Sequence, residues 1–136
     1  SNNSLGDGVW KSIDGGNTWK HIGLDNTGRI SRIIVSPDNP DIVWVAALGN
    51  AFVPQKEKGV FMTSDGGTTW KHVLFVDKYT GASDIVVDPE NASILFAGMW
   101  HLELYPWKRI SGGAGSGIFK STDGGNTWKH IGLDNT

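Results

Sequence analysis

The feature that most restricts how this chain can fold is a stretch of sequence that returns three times. Residues 8–21, 59–72 and 117–130 each begin with Gly, pass through β-branched or aromatic residues to an Asp-Gly-Gly centre, and resume at Thr-Trp-Lys-His. Their aspartates, Asp14, Asp65 and Asp123, stand 51 and 58 residues apart. Each copy predicts strand, tight turn, strand, because the two glycines after Asp tolerate positive φ and the flanking runs suit a pleated surface. Between the copies the sequence predicts two further strand pairs: 30–35 with 42–47, and 85–87 with 94–97. Turns at 36–41 and 88–93 separate them, rich in Pro, Asp and Asn. No 3.6-residue periodicity persists for two turns, so helices are not expected.

Supersecondary units recurring at about this interval stack into repeat architectures, and units made of four strands are propeller blades. The expected fold class is all-β, in four-stranded antiparallel sheets. With strands lettered A to D outward from the axis, the order reads C-D, A-B-C-D, A-B-C-D. Residues 1–27 form an N-terminal half-blade, 28–76 a first full blade and 77–136 a second. The strand at 30–35 is nearly continuous in apolar residues and is expected to be innermost, buried on both faces.

The hairpins carry a family resemblance. Ser-x-Asp-x-Gly-x-Thr-Trp stands as Ser12, Asp14, Gly16, Thr18, Trp19 and as Ser121, Asp123, Gly125, Thr127, Trp128. The middle copy opens with Thr63, followed by Asp65, Gly67, Thr69 and Trp70. Over nearly its whole length the chain resembles the BNR/Asp-box repeat β-propellers, in particular the sortilin-like (Vps10-like) repeat proteins of bacteria. Sialidases, some xyloglucanases and a photosystem assembly factor share the blade motif without sharing one function. The resemblance implies that the boxes lie on the C–D turns, opposite the binding face, and that the parent is secreted or periplasmic. The chain itself shows no targeting signal. Physically the box aspartate is expected to accept hydrogen bonds from its own turn and the Trp to bury its ring there or between blades, a structural role and not a catalytic or calcium-binding one.

The first and third copies are more alike than neighbouring blades usually are. Residues 14–27 and 123–136 are identical over 14 positions, and 18 of 22 agree when the comparison starts at Gly6 and Gly115. This is expected of an engineered or excised double-blade unit with overlapping ends, or else of a natural repeat recently amplified. Two blades do not close a propeller, which holds roughly four to eight. The chain is therefore expected to assemble with copies of itself into a ring, a tetramer being preferred, with Val9, Trp10, Phe61 and Phe119 on the packing flanks. Three C-D hairpins against two A-B pairs leave one hairpin per junction spare.

Other function classes are judged from the remaining residues. A formal net charge of −2 without runs of like charge gives no footprint for nucleic acid or anionic membrane. Cysteine is absent, so thiolate metal sites are excluded; no metal and no cofactor is expected. Two segments, 49–58 and 100–111, are longer than a simple connection needs and are read as top-face loops. The second combines Trp100, His101, Glu103, Tyr105, Trp107 and Arg109, a residue mix suited to a glycan or peptide. A glycosidase needs two carboxylates facing one bond; Glu103 and Asp84 are conceivable, but their spacing does not single them out. Arg29, Arg32 and Arg109 show no sign of converging, and His21, His72 and His130 recur as repeat features. No catalytic residue is assigned and the chain is read as not an enzyme. Glu57, Asp77 and Lys78 are read as solvated loop charges.

Overall fold

The computed structural model describes residues 8–50, 53–104, 109–111 and 116–132, with backbone alone for 103–104 and 109–111. The strands are β1 (Trp10–Lys11), β2 (Lys20–His21), β3 (Arg29–Val35), β4 (Val43–Gly49), β5 (Gly59–Thr63), β6 (Lys71–Leu74), β7 (Thr80–Asp88), β8 (Asn91–Leu104), β9 (Arg109–Ser111), β10 (Gly117–Ser121) and β11 (Lys129–Gly132). One 3-10 turn, Asp25–Thr27, joins β2 to β3. Hydrogen bonds group the strands into the hairpin β1-β2, a first sheet β3-β4-β5-β6, and a second sheet β7-β8-β10-β11 with β9 added to the far end of β8. All neighbours are antiparallel. The chain is all-β, and its four-stranded sheets are the blades of a β-propeller.

The sheets bury their faces against one another through the two-residue alternation of a strand. From β4, Trp44 and Ala46 point toward the second sheet and share a core with Val60, Met62, Ala82, Ile85, Leu95, Ala97 and Met99. Val45 and Ala47, one step out of phase, point the other way and pack with Val9 and Phe61, flanked by Ile22, Leu24 and Trp70. The first sheet is thus sandwiched between the N-terminal hairpin and the second sheet.

A glycine opens each hairpin for a steric reason. At Gly59, φ is 117° and an added Cβ would lie 1.9 Å from the Leu74 carbonyl oxygen. The register slips by one residue between Val60 and Phe61, and at the same place, Ile118 and Phe119, in the second sheet. These are β-bulges that only glycine accommodates, and they increase the twist of the outer strands.

Two expectations require correction. The inner strand β3 is not buried on both faces: Ile34 packs into the core, whereas Ile33 and Val35 remain 46% and 53% exposed. Their side of the sheet faces the hairpin, which among the described residues has no inner strands to cover them. Residues 100–111 are not simply a loop either. β8 continues to Leu104, and Leu102, Glu103 and Leu104 pair with Ser111, Ile110 and Arg109, so these two stretches form a paired arm prolonging the blade.

Candidate interaction site

In each hairpin the box is a closed hydrogen-bond network. Thr18, Thr69 and Thr127 donate their backbone N–H to Oδ1 of Asp14, Asp65 and Asp123, each at 2.9 Å. The same threonines donate their hydroxyls to the second carboxylate oxygen at 2.5, 2.6 and 2.5 Å. Ser12, Thr63 and Ser121 donate to Oδ1 as well, while their hydroxyl oxygens accept from the backbone of Gly16, Gly67 and Gly125. Threonine serves in the middle copy because the hydroxyl alone is used.

Donors aimed at the charged form hold all three carboxyls at about 2 against an ordinary 3.8, the threonine hydroxyl contributing most. Because the folded value is depressed, this stabilisation is complete above the ordinary carboxyl value and disappears as pH falls from about 4 toward 2. A carbon-detected NMR titration of the Asp65 carboxyl should therefore show a midpoint near 2; a midpoint near 4 would mean that the network is not formed in solution.

The recurring histidines are likewise part of the hairpins. His21, His72 and His130 lie against Trp10, Phe61 and Phe119 with ring centroids 4.8, 4.1 and 4.8 Å apart. A ring nitrogen of His72 lies 2.7 Å from the Lys58 carbonyl oxygen across the bulge. Among the described residues no group of three or more His, Asp or Glu gathers in a way that could hold a metal. Asp77 is more than a solvated loop charge: its carboxylate accepts from the Tyr79 backbone N–H and the Thr80 hydroxyl, forming the turn into β7.

The boxes also make the contacts between blades. Trp44, 1% exposed, donates its indole N–H to the Gly124 carbonyl at 3.0 Å, and a Cβ on Gly125 would lie 2.6 Å from that nitrogen. At the other junction Trp70 donates to the Ile22 carbonyl at 2.7 Å, Lys11 reaches the Gly66 carbonyl at 3.2 Å, and a Cβ on Gly67 would lie 2.5 Å from Ile22 Cδ1. The second box glycine thus both takes positive φ and lets the preceding blade press against the turn. Near the axis the Arg32 guanidinium pairs with Asp84, and Ser31 donates to the Ala82 carbonyl at 3.0 Å. The ion pair lowers the carboxyl value of Asp84 and ties β3 to β7. The sequence reading missed this pair as a junction, although Arg32 and Asp84 occupy equivalent registers, opposite Ala46 and Gly98.

Both outer flanks of the stack expose apolar groups. On the N-terminal side these are Trp10 at 48% and Trp19 at 59%; on the other side Val86, Trp100 and Ile131 are about half exposed. Of the loop residues proposed for ligand binding, Trp100 and His101 follow one another in β8 and so point to opposite faces. His101 stacks on Tyr79 at 5.7 Å, whereas Trp100 lies on the open flank. Glu103 and Arg109 fall in the paired arm, one residue apart in register, and Tyr105 and Trp107 lie outside the described residues.

No protein-family model and no curated protein matches the sequence. Among solved structures, the chain is similar to the crystal structure of an ancestral GH74 enzyme, with a TM-score of 0.68 and 21% identity. The match covers 97% of this chain and 16% of that one, so the chain spans about a sixth of the enzyme's length. GH74 is a β-propeller family, which agrees with the blades described above. The likeness also corrects the reading of the chain as not an enzyme: its backbone follows that of an enzyme, so the fold supplies no ground for excluding a reaction. At this identity it conveys the fold and no activity.

Proposed function

We propose that this chain is a two-blade unit of a sortilin-like Asp-box propeller that completes a ring by binding further copies through its flanks and exchanging hairpins. One observation carries the reading: the two open flanks bear the same kinds of group, at the same strand positions, as the two sides of the closed junctions. Trp10 occupies the position of Phe61 and Phe119, and Trp19 that of Trp70 and Trp128, all of which pack against the preceding unit. On the opposite flank Ile131 repeats Ile22, and Phe96 occupies the register of Trp44.

The charges agree with this order. When a second sheet meets the first sheet of another copy, Asp84 is brought to Arg32, as it is within the chain; first sheet on first sheet would oppose two arginines. An exposed pair of this kind contributes only about 0–1 kcal/mol, but the repulsive alternative discriminates against the wrong order. Four copies give eight blades, within the usual size of closed propellers. Sedimentation velocity at micromolar concentration should find a discrete assembly; a folded monomer across that range would overturn the proposal.

A further inference from the structure

Granting the ring reading, we infer that the hairpin crossing between copies is the N-terminal one: β1-β2 of one copy takes the place of β10-β11 on β8 of another. The two hairpins are interchangeable in their turn and outer strand, since residues 14–27 and 123–136 are identical. Three asymmetries decide between them.

The first is pairing. Among the described residues β1 has β2 as its single neighbour, whereas β10 has β8 on one side and β11 on the other. An open strand edge already carried at the flank invites another copy's strand. β10 pairs with β8 from Gly117 opposite Met99 to Ser121 opposite Leu95. Moved into that register, Gly8 lies opposite Met99, Trp10 opposite Ala97, Lys11 opposite Phe96 and Ser12 opposite Leu95, each residue matching the type it replaces or differing by one apolar substitution.

The second is anchorage. The N-terminal hairpin is continuous with β3 through the turn Asp25–Thr27, in which Thr27 is buried and donates its hydroxyl to the Leu24 carbonyl. Gln55 reaches the Asn26 carbonyl at 2.7 Å, and Trp70, Lys11 and Val9 add the contacts already described. Exchange of this hairpin keeps all of these, because it remains seated on its own first sheet while β1 docks on the partner. Exchange of the other hairpin would displace this one and break its contacts to Gln55, Trp70 and Gly66 of the first sheet.

The third is burial. In the lone chain Trp10 and Trp19 are half exposed, while Phe119 and Trp128 pack against the core. The N-terminal exchange buries two indoles and releases one indole and one phenyl ring; the opposite exchange leaves Trp10 and Trp19 in solvent. In the exchanged junction, Trp44 of the receiving copy donates to the Gly15 carbonyl instead of Gly124.

The absence of native cysteine makes the test direct. In the full chain, Lys11→Cys/Phe96→Cys places thiols opposite one another only between copies, whereas Lys120→Cys/Phe96→Cys places them opposite only within a copy. Cross-strand Cα separations of about 4.5–5.5 Å lie within disulfide range. Since one kind of antiparallel pair bridges more readily than the other, Ser12→Cys/Leu95→Cys and Ser121→Cys/Leu95→Cys repeat the test one position along. After mild oxidation of the assembled fraction, non-reducing electrophoresis should show covalent multimers for the 11/96 or 12/95 pair and a minor intrachain product for its counterpart. An assembled protein in which the 120/96 or 121/95 bond closes quantitatively and neither interchain bond forms would overturn this assignment and leave the ring standing. An unsubstituted chain that stays monomeric would overturn the ring, and this inference with it.

Discussion

Replacing Trp44 with alanine should cost about 3–5 kcal/mol, the range for emptying a buried tryptophan site. The ring is 1% exposed and sits between the two sheets, so the cavity cannot fill with solvent or collapse without moving a strand. The substitution also removes the donor to the Gly124 carbonyl and so loosens the box turn of the second blade from the first. Against a total stability of about 5–15 kcal/mol for a domain, the loss brings the chain close to unfolding. Urea denaturation followed by circular dichroism should show the midpoint falling by more than about 1 M, using a slope of about 1–3 kcal/mol per molar. Trp44→Phe keeps most of the ring and loses the N–H, and should cost about 1–2 kcal/mol. An alanine variant within about 1 kcal/mol of the parent would mean that the sheets are not stacked as described.

The second large effect is on assembly and should leave the single chain nearly untouched. Trp10 and Trp19 are half exposed; Trp10 lies against His21, and Trp19 donates its indole N–H to the Gly16 carbonyl of its own turn. Changing both to alanine should alter the stability of the isolated chain by no more than about 1 kcal/mol, as for other surface positions. Tryptophans at the centre of an interface typically contribute about 2 kcal/mol or more each when truncated. The double variant should therefore weaken association about 1000-fold or more. Sedimentation equilibrium over a concentration series reads this directly. An unchanged assembly would show that the flanks bearing these rings are not the contacting surfaces.

Much of the fold was legible because it is written three times. Asp14, Asp65 and Asp123 with their glycines specify a turn chemistry that few alternatives satisfy, and their spacing announced the blades. The exposure of β3 was not legible: apolar content at 30–35 is the same whether a neighbour covers it or not, and only the stacking shows that Ile33 and Val35 face a hairpin too short to reach them. The arm formed by β8 and β9 was hidden because its mix of aromatic and charged residues around one proline reads as loop composition, while strand pairing depends on register that composition does not encode.

The contact surface was partly legible. Repeat positions identified Trp10 and Phe119 as flank residues, but Trp44 has no counterpart in the box motif, and its role rests on an indole reaching a carbonyl 80 positions along the chain. Arg32 and Asp84 carried a usable signal, opposite charges at one strand position in consecutive sheets, visible only once registers are aligned. The proposed ligand residues show the reverse problem. Trp100 and His101, adjacent in sequence, are separated by the pleat and face different surroundings.

Native mass spectrometry at micromolar concentration puts the most direct question to the claim that like chains cover the open flanks. The account predicts a dominant species at a small integer multiple of the 14.7 kDa chain, four being the expected number. A spectrum dominated by a folded species at the single-chain mass would contradict it.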